Sequence, residues 1–126
     1  MTHGTGQVLL VDDEDGVLNF AKLALERCGD QVLAARTGRE AVDTFALQCK
    51  TIAVVVLDLT MPGMGGDAVL LEMQRIDPAV RVILSSGYGE DDSSRRFQSY
   101  GLAGFLPKPY TARTLADKIR SVLEPA

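Results

Sequence analysis

Short apolar runs alternate with longer stretches whose apolar residues return at helical spacing, and the alternation runs almost the whole length of the chain. No other feature constrains the fold as strongly. A buried strand followed by an amphipathic helix, repeated in series, calls for crossover connections and therefore a parallel sheet with helices on both faces. Val8-Leu9-Leu10-Val11 is too short for a helix and reads as the first strand. Behind it, Val17, Ala21, Ala24 and Cys28 form a helical stripe with Phe20 and Leu25 beside it, closed by Gly29. Val32 to Ala35 is a weaker second strand. Thr37 and Glu40 then stand at capping-box spacing before a helix whose apolar face is Val42, Phe45 and Ala46.

The third strand, Ala53-Val54-Val55-Val56-Leu57, is rich in β-branched residues and ends at Asp58. Pro62, Gly63, Gly65 and Gly66 form a loop, and Val69, Leu70, Met73 and Ile76 a helix that Asp77-Pro78 stops. Arg81 to Leu84 is the fourth strand, followed by Ser85-Ser86-Gly87. Glu90 to Tyr100 is helical but poor in apolar residues, hence the most exposed helix. Ala103 to Leu106 is the fifth strand, and Thr111 caps a last helix with the stripe Leu115, Ile119, Val122 and Leu123. Residues 1–6 read as a linker or an added end, and 7–126 as one α/β domain.

Composition excludes several classes. With 46% hydrophobic and 24% charged residues the chain is neither disordered nor a disulfide miniprotein. Its longest apolar run, Ile52 to Leu57, is far short of a membrane span, and its start carries no signal-peptide pattern. A net charge of −4 argues against direct nucleic-acid binding. Cys28 and Cys49 are too far apart for a metal knuckle and read as packing thiols of a reducing compartment, so the chain is placed in the cytoplasm.

Chemistry in such a sheet sits at the carboxyl ends of the strands. Those ends carry Asp12 and Asp13, then Asp58, Ser86 and Lys108. Three close carboxylates repel one another unless a cation sits among them. Oxygen-only ligands favour a hard ion such as Mg²⁺, which commonly combines one or two carboxylates with a phosphate. Lysine and hydroxyl suit the remaining phosphoryl oxygens, so the set is equipped for phosphoryl transfer.

Val-Asp-Asp-Glu at 11–14, Leu-Asp-Leu-Thr-Met-Pro-Gly-Met-Gly-Gly at 57–66, Leu-Ser-Ser-Gly at 84–87 and Lys-Pro at 108–109 together resemble the response-regulator receiver domains of two-component signalling. The resemblance spans about residues 7 to 124. It implies a doubly wound, five-stranded, flavodoxin-like (βα)5 sheet of order 2-1-3-4-5. It also implies that Asp58 accepts a phosphoryl group from a sensor histidine kinase or histidine phosphotransfer protein. Asp13 would bind Mg²⁺ directly, Asp12 mainly through water, and Thr60 through its backbone carbonyl. Ser86 and Lys108 would bind the phosphoryl group, Lys108 pairing with Asp58 beforehand. Phe105 matches the switch aromatic, and the Lys108–Pro109 bond is cis in such proteins. Such a domain is not a classical enzyme but catalyses its own phosphorylation and dephosphorylation. Its output partner would dock on the face made by the helix at Glu90 to Tyr100, the fifth strand and the last helix. Ser86 stands where threonine is commoner, and Phe105 lacks the hydroxyl of the commoner tyrosine. The phrases Ser-Ser-Gly-Tyr and Phe-Leu-Pro-Lys-Pro-Tyr resemble receivers at the C-terminus of hybrid sensor kinases.

Other readings fit less well. Aspartates at a helix start often only compensate its dipole. An EF-hand alignment puts Lys22 where glutamate is required. A flavin carrier of the same fold would need a phosphate loop where this chain has Asp-Asp-Glu-Asp. A haloacid-dehalogenase-like phosphatase would need aspartate where Thr60 stands, and a pseudo-receiver should have lost Asp58, one of the acidic pair or Lys108. Charge crowding alone predicts that removing either Asp12 or Asp13 leaves the metal-free protein as stable as before, or more so.

Overall fold

The β-branched run is the centre of the molecule. In the computed structural model, which describes residues 6–59, 66–86 and 101–123, it forms β3 (Ile52–Asp58), the third strand of a parallel sheet. The other elements are β1 (Gln7–Val11), α1 (Asp15–Arg27), β2 (Gln31–Ala35), α2 (Gly38–Gln48), α3 (Gly66–Ile76), β4 (Val82–Ser86), β5 (Gly104–Pro107) and α4 (Ala112–Leu123). The sheet order is β2-β1-β3-β4-β5, so the order reverses between β1 and β3, whose carboxyl ends carry the aspartates. The helix expected at 90–100 lies outside the described residues, as do Thr60 and most of the glycine-rich loop.

Alternation along the strands divides the core into two layers. Leu9, Val11, Val55, Leu57, Leu84 and Phe105 face α2 and α3, where they meet Ala41, Phe45, Val69, Leu70 and Met73. Val8, Leu10, Val54, Val56, Ile83 and Leu106 face α1 and α4, against Leu18, Ala21, Leu25, Leu115 and Ile119. Both faces of the central strands are dry, which is why those strands read as continuous apolar runs.

Several sequence expectations shift in phase. The buried row of α1 is Leu18, Ala21 and Leu25, not the row through Val17 and Cys28. Both rows have helical spacing, and the larger leucines take the core side. Phe20 is 45% exposed and Cys28 lies on the surface. In α2 the buried partner of Phe45 is Ala41, one turn earlier, and Ala46 faces solvent. Ile76 is at the exposed end of α3. Ser85 and Ser86 belong to β4 instead of following it. Gly66 opens α3 instead of lying in the loop. A Cβ there would stand 2.9 Å from the Leu59 Cα, so only glycine lets α3 start this close to the end of β3.

The terminators act as expected. Gly29 closes α1 with φ +92°, a conformation that costs glycine little. Thr37 Oγ1 accepts the Glu40 N–H at 3.0 Å, while Glu40 accepts the Arg36 N–H at 2.8 Å. Thr111 Oγ1 accepts the Thr114 N–H at 3.0 Å, and Thr114 Oγ1 accepts the Thr111 N–H at 2.9 Å.

Candidate functional site

Strand geometry delivers the acidic groups. Asp58 is the last residue of β3 and only 2% exposed. Asp12 follows β1, its N–H still donating to the Ala35 carbonyl at 3.1 Å, and is 5% exposed. Its Oδ1 accepts the Glu14 N–H at 2.9 Å, which folds the chain sharply into α1. Asp13 between them faces solvent. Carboxylate oxygens of Asp12, Asp13 and Asp58 all lie within 4.8 Å of one another.

Lys108 enters from the end of β5. Its N–H donates to the Ser86 carbonyl at 2.9 Å, and the following bond to Pro109 is cis. The ammonium lies 2.8 Å from Asp12 Oδ2, 3.5 Å from Asp58 Oδ2 and 3.4 Å from Glu14 Oε1. The closest partner is thus Asp12, where the resemblance named Asp58. Burial by itself would lower the Lys108 pKa, but the Asp12 hydrogen bond and the charges of Asp58, Asp12 and Glu14 raise it well above the usual lysine value. Because the folded value is the higher one, this stabilisation is complete below the unfolded value of about 10.4 and is lost only in stronger alkali. Tyr110 is pushed up to about 12, first by burial and then by the charge of Asp12, with Lys108 opposing and Asp58 adding to the rise. Its hydroxyl is therefore neutral and able to donate.

The other predicted residues take distinct places. Ser86 is fully buried and, by alternation from Leu84, belongs to the α2–α3 layer. Phe105 is 7% exposed and packs in that layer, in register with Leu84. Thr60 lies outside the described residues. Sequence reasoning gave no role to Glu14, Tyr110 or Ser85. Period-two alternation could have separated Ser85 from Ser86, since adjacent strand residues face opposite layers. Beside Lys108, a groove of about 550 Å³ opens between Val17 and Phe20 of α1 and Pro109 and Tyr110, which accounts for the exposed Phe20 ring.

Oxygen donors alone, one on a solvent-facing residue, with more negative charge than Lys108 can balance, suit a hard divalent ion that retains water. The geometry also separates the two outer aspartates. Asp13→Asn should leave the metal-free melting temperature unchanged or raised, since it removes only repulsion. Asp12→Asn should lower stability by about 1–3 kcal/mol, because it weakens a buried charge-assisted hydrogen bond. Thermal melts in EDTA check this, and equal behaviour of the two variants would contradict it.

Residues 8–120 match the model of the response regulator receiver domain. The chain is 36% identical over 121 residues to the sensor kinase CckA of Brucella abortus, covering 96% of this chain and 13% of that protein. It thus spans a small part of that relative's length. Among solved structures, a response regulator receiver domain protein from Clostridium thermocellum superposes with a TM-score of 0.87 at 33% identity, covering 94% of each chain. A chain of the CheX–CheY–BeF3–Mg²⁺ complex from Borrelia burgdorferi superposes with a TM-score of 0.90 at 27% identity, covering 95% of this chain and 90% of that one.

Proposed function

This chain belongs to the response-regulator receiver domain family, the phosphorylatable module of two-component signalling, and from that membership we propose that Asp58 accepts a phosphoryl group from a histidine kinase or histidine phosphotransfer protein. The observation that carries this reading is the juxtaposition at the strand ends. A buried carboxylate stands with two others within 4.8 Å and an ammonium 3.5 Å away, at the point where strand order reverses.

In the transfer, an Asp58 carboxylate oxygen attacks the phosphorus of a phosphohistidine. The phosphorus–nitrogen bond breaks, its electron pair stays on the imidazole, and an acyl phosphate forms on Asp58. Asp12, Asp13 and Asp58 would hold Mg²⁺, with the Thr60 carbonyl completing the set. Bound there, the ion supplies charge neutralisation for the phosphoryl oxygens. Lys108 supplies a fixed positive charge on the same group, and its hold on Asp12 keeps it in place before phosphate arrives. The groove beside Lys108, lined by Val17, Phe20, Pro109 and Tyr110, gives the phosphodonor an apolar surface next to the acceptor. Receiver domains are signalling modules, not enzymes in the usual sense; this one carries out its own transfer and the later hydrolysis.

The switch follows from the new oxygens, which require donors. Ser86 turns its hydroxyl to the phosphoryl group, and Phe105 repacks behind it. The response spreads to β5, α4 and the segment 90–100, where the output partner docks. The phosphoryl–Ser86 bond gives the two conformations different energies, which a switch of this kind requires. The domain works in the cytoplasm, where its free thiols stay reduced.

Amide NMR with and without beryllofluoride and Mg²⁺ tests the proposal. Shift changes should begin at residues 12, 13 and 58 and extend through residues 90–110, and Ser86→Ala should curtail the extension while retaining the changes at the acidic rim. Changes confined to the rim in the wild type would contradict the switch, and none at all would contradict the site.

A further inference from the structure

Beneath the acidic cluster lies a polar group that the phosphorylation reading leaves unused. Ser85 is 2% exposed, and its Oγ has no hydrogen-bond partner among the described residues. Leaving a buried hydroxyl unpaired costs about 1–3 kcal/mol, so such groups are nearly always satisfied, often by an ordered water. Its position follows from register. Ser85 is the direct partner of Asp58 across the β3–β4 ladder, and the Leu59 N–H donates to its carbonyl at 2.9 Å. Paired residues of a parallel ladder project to the same face. Ser85 therefore shares the α1–α4 face with Asp58 and Asp12, whereas Ser86 faces the other layer. A small cavity of about 10 Å³ lies there, with Asp12, Asp58, Ser85 and Tyr110 on its walls. Its remaining walls include Leu10, Leu18 and Val56. That is roughly the space of one water.

We propose that Ser85 is a positioning residue for Asp58: its hydroxyl fixes a single water in this cavity, and that water donates to the Asp58 carboxylate from beneath. The inference rests on the reading of Asp58 as the acceptor. The step it governs is hydrolysis of the acyl phosphate. Water attacks phosphorus, the bond from phosphorus to the Asp58 oxygen breaks, its electron pair returns to the carboxylate, and the attacking water's proton leaves with the phosphate. Negative charge grows on the carboxylate, so a fixed donor accelerates this step. The same donor stabilises the free carboxylate and blunts it as a nucleophile. Loss of the hydroxyl therefore prolongs the phosphorylated state without slowing its formation, an asymmetry that a merely structural defect would not produce.

Ser85→Thr and Ser85→Val form an isosteric pair of residues at home in a strand, differing only in the hydroxyl, with Ser85→Ala as the smaller variant. Each is phosphorylated with acetyl phosphate and Mg²⁺, freed of donor by desalting, and followed by intact-mass spectrometry. The Val and Ala variants should keep the phosphoryl group about threefold to tenfold longer, the size of one net hydrogen bond, while Thr retains the wild-type lifetime. Equal lifetimes for Thr and Val overturn the proposal, as does a wild-type crystal structure with no water within hydrogen-bond distance of Ser85 Oγ. Where Val proves too unstable, Thr against Ala makes the same comparison. If the wild type itself takes up no phosphoryl group, the reading of Asp58 fails and the inference falls with it; uptake with equal lifetimes defeats the inference alone.

Discussion

Asp58→Asn is expected to abolish phosphoryl uptake. Incubated with Mg²⁺ and acetyl phosphate, the wild-type chain is expected to gain one base-labile phosphoryl group, and the variant none. The reason is chemical and positional. An amide oxygen is a far weaker nucleophile than a carboxylate, and no neighbour can substitute. Asp12 is committed to Lys108 at 2.8 Å and to the Glu14 N–H. Asp13 lies in the same cluster but faces solvent, whereas Asp58 is buried at the end of β3. The fold should survive, because Asn is nearly isosteric and removes one of three crowded charges. Intact mass gives the readout, and a variant modified to the same extent as the wild type would remove Asp58 from its role.

Lys108→Ala has the next largest expected effect. Among the described residues it is the cation of the site, reaching Asp12, Asp58 and Glu14 at once. Removing one preorganised charge-stabilising donor from a reaction centre typically slows the step by about 10²–10³-fold, and phosphorylation by acetyl phosphate should slow on that scale. Mg²⁺ binding should move the other way. With the competing ammonium gone, the carboxylates attract the ion more strongly, and its affinity should rise. Slow transfer with tightened metal binding separates this role from simple misfolding, which would weaken both. A rate within threefold of wild type would show that Lys108 is only a structural counter-ion.

Legibility in the sequence depended on the kind of signal. The strands were legible because their two dry faces leave uninterrupted apolar runs, Ile52 to Leu57 above all. Asp58 was legible because a charge directly after such a run marks the strand's carboxyl end. The order β2-β1-β3-β4-β5 came from family resemblance, since the strand sequences contain nothing that sets their neighbours. Helix phase was harder to read. α1 has apolar residues on two adjacent rows, and only packing decides that Leu18 and Leu25 lie inside and Phe20 out. Which carboxylate Lys108 approaches most closely, Asp12 at 2.8 Å or Asp58 at 3.5 Å, depends on sub-ångström tertiary differences below the reach of any spacing rule. Ser85 and Ser86 look alike as a dipeptide, and the face each takes follows only once β4 is known to extend through both.

The central claim is the identity of the accepting atom, and borohydride reduction after phosphorylation tests it most directly. An acyl phosphate on aspartate is reduced to homoserine, whereas an unmodified aspartate is left intact. Peptide mapping of the reduced wild-type chain should find homoserine at position 58 and aspartate at positions 12 and 13. Homoserine at 12 or 13, or a phosphorylated protein that yields none, would contradict the account.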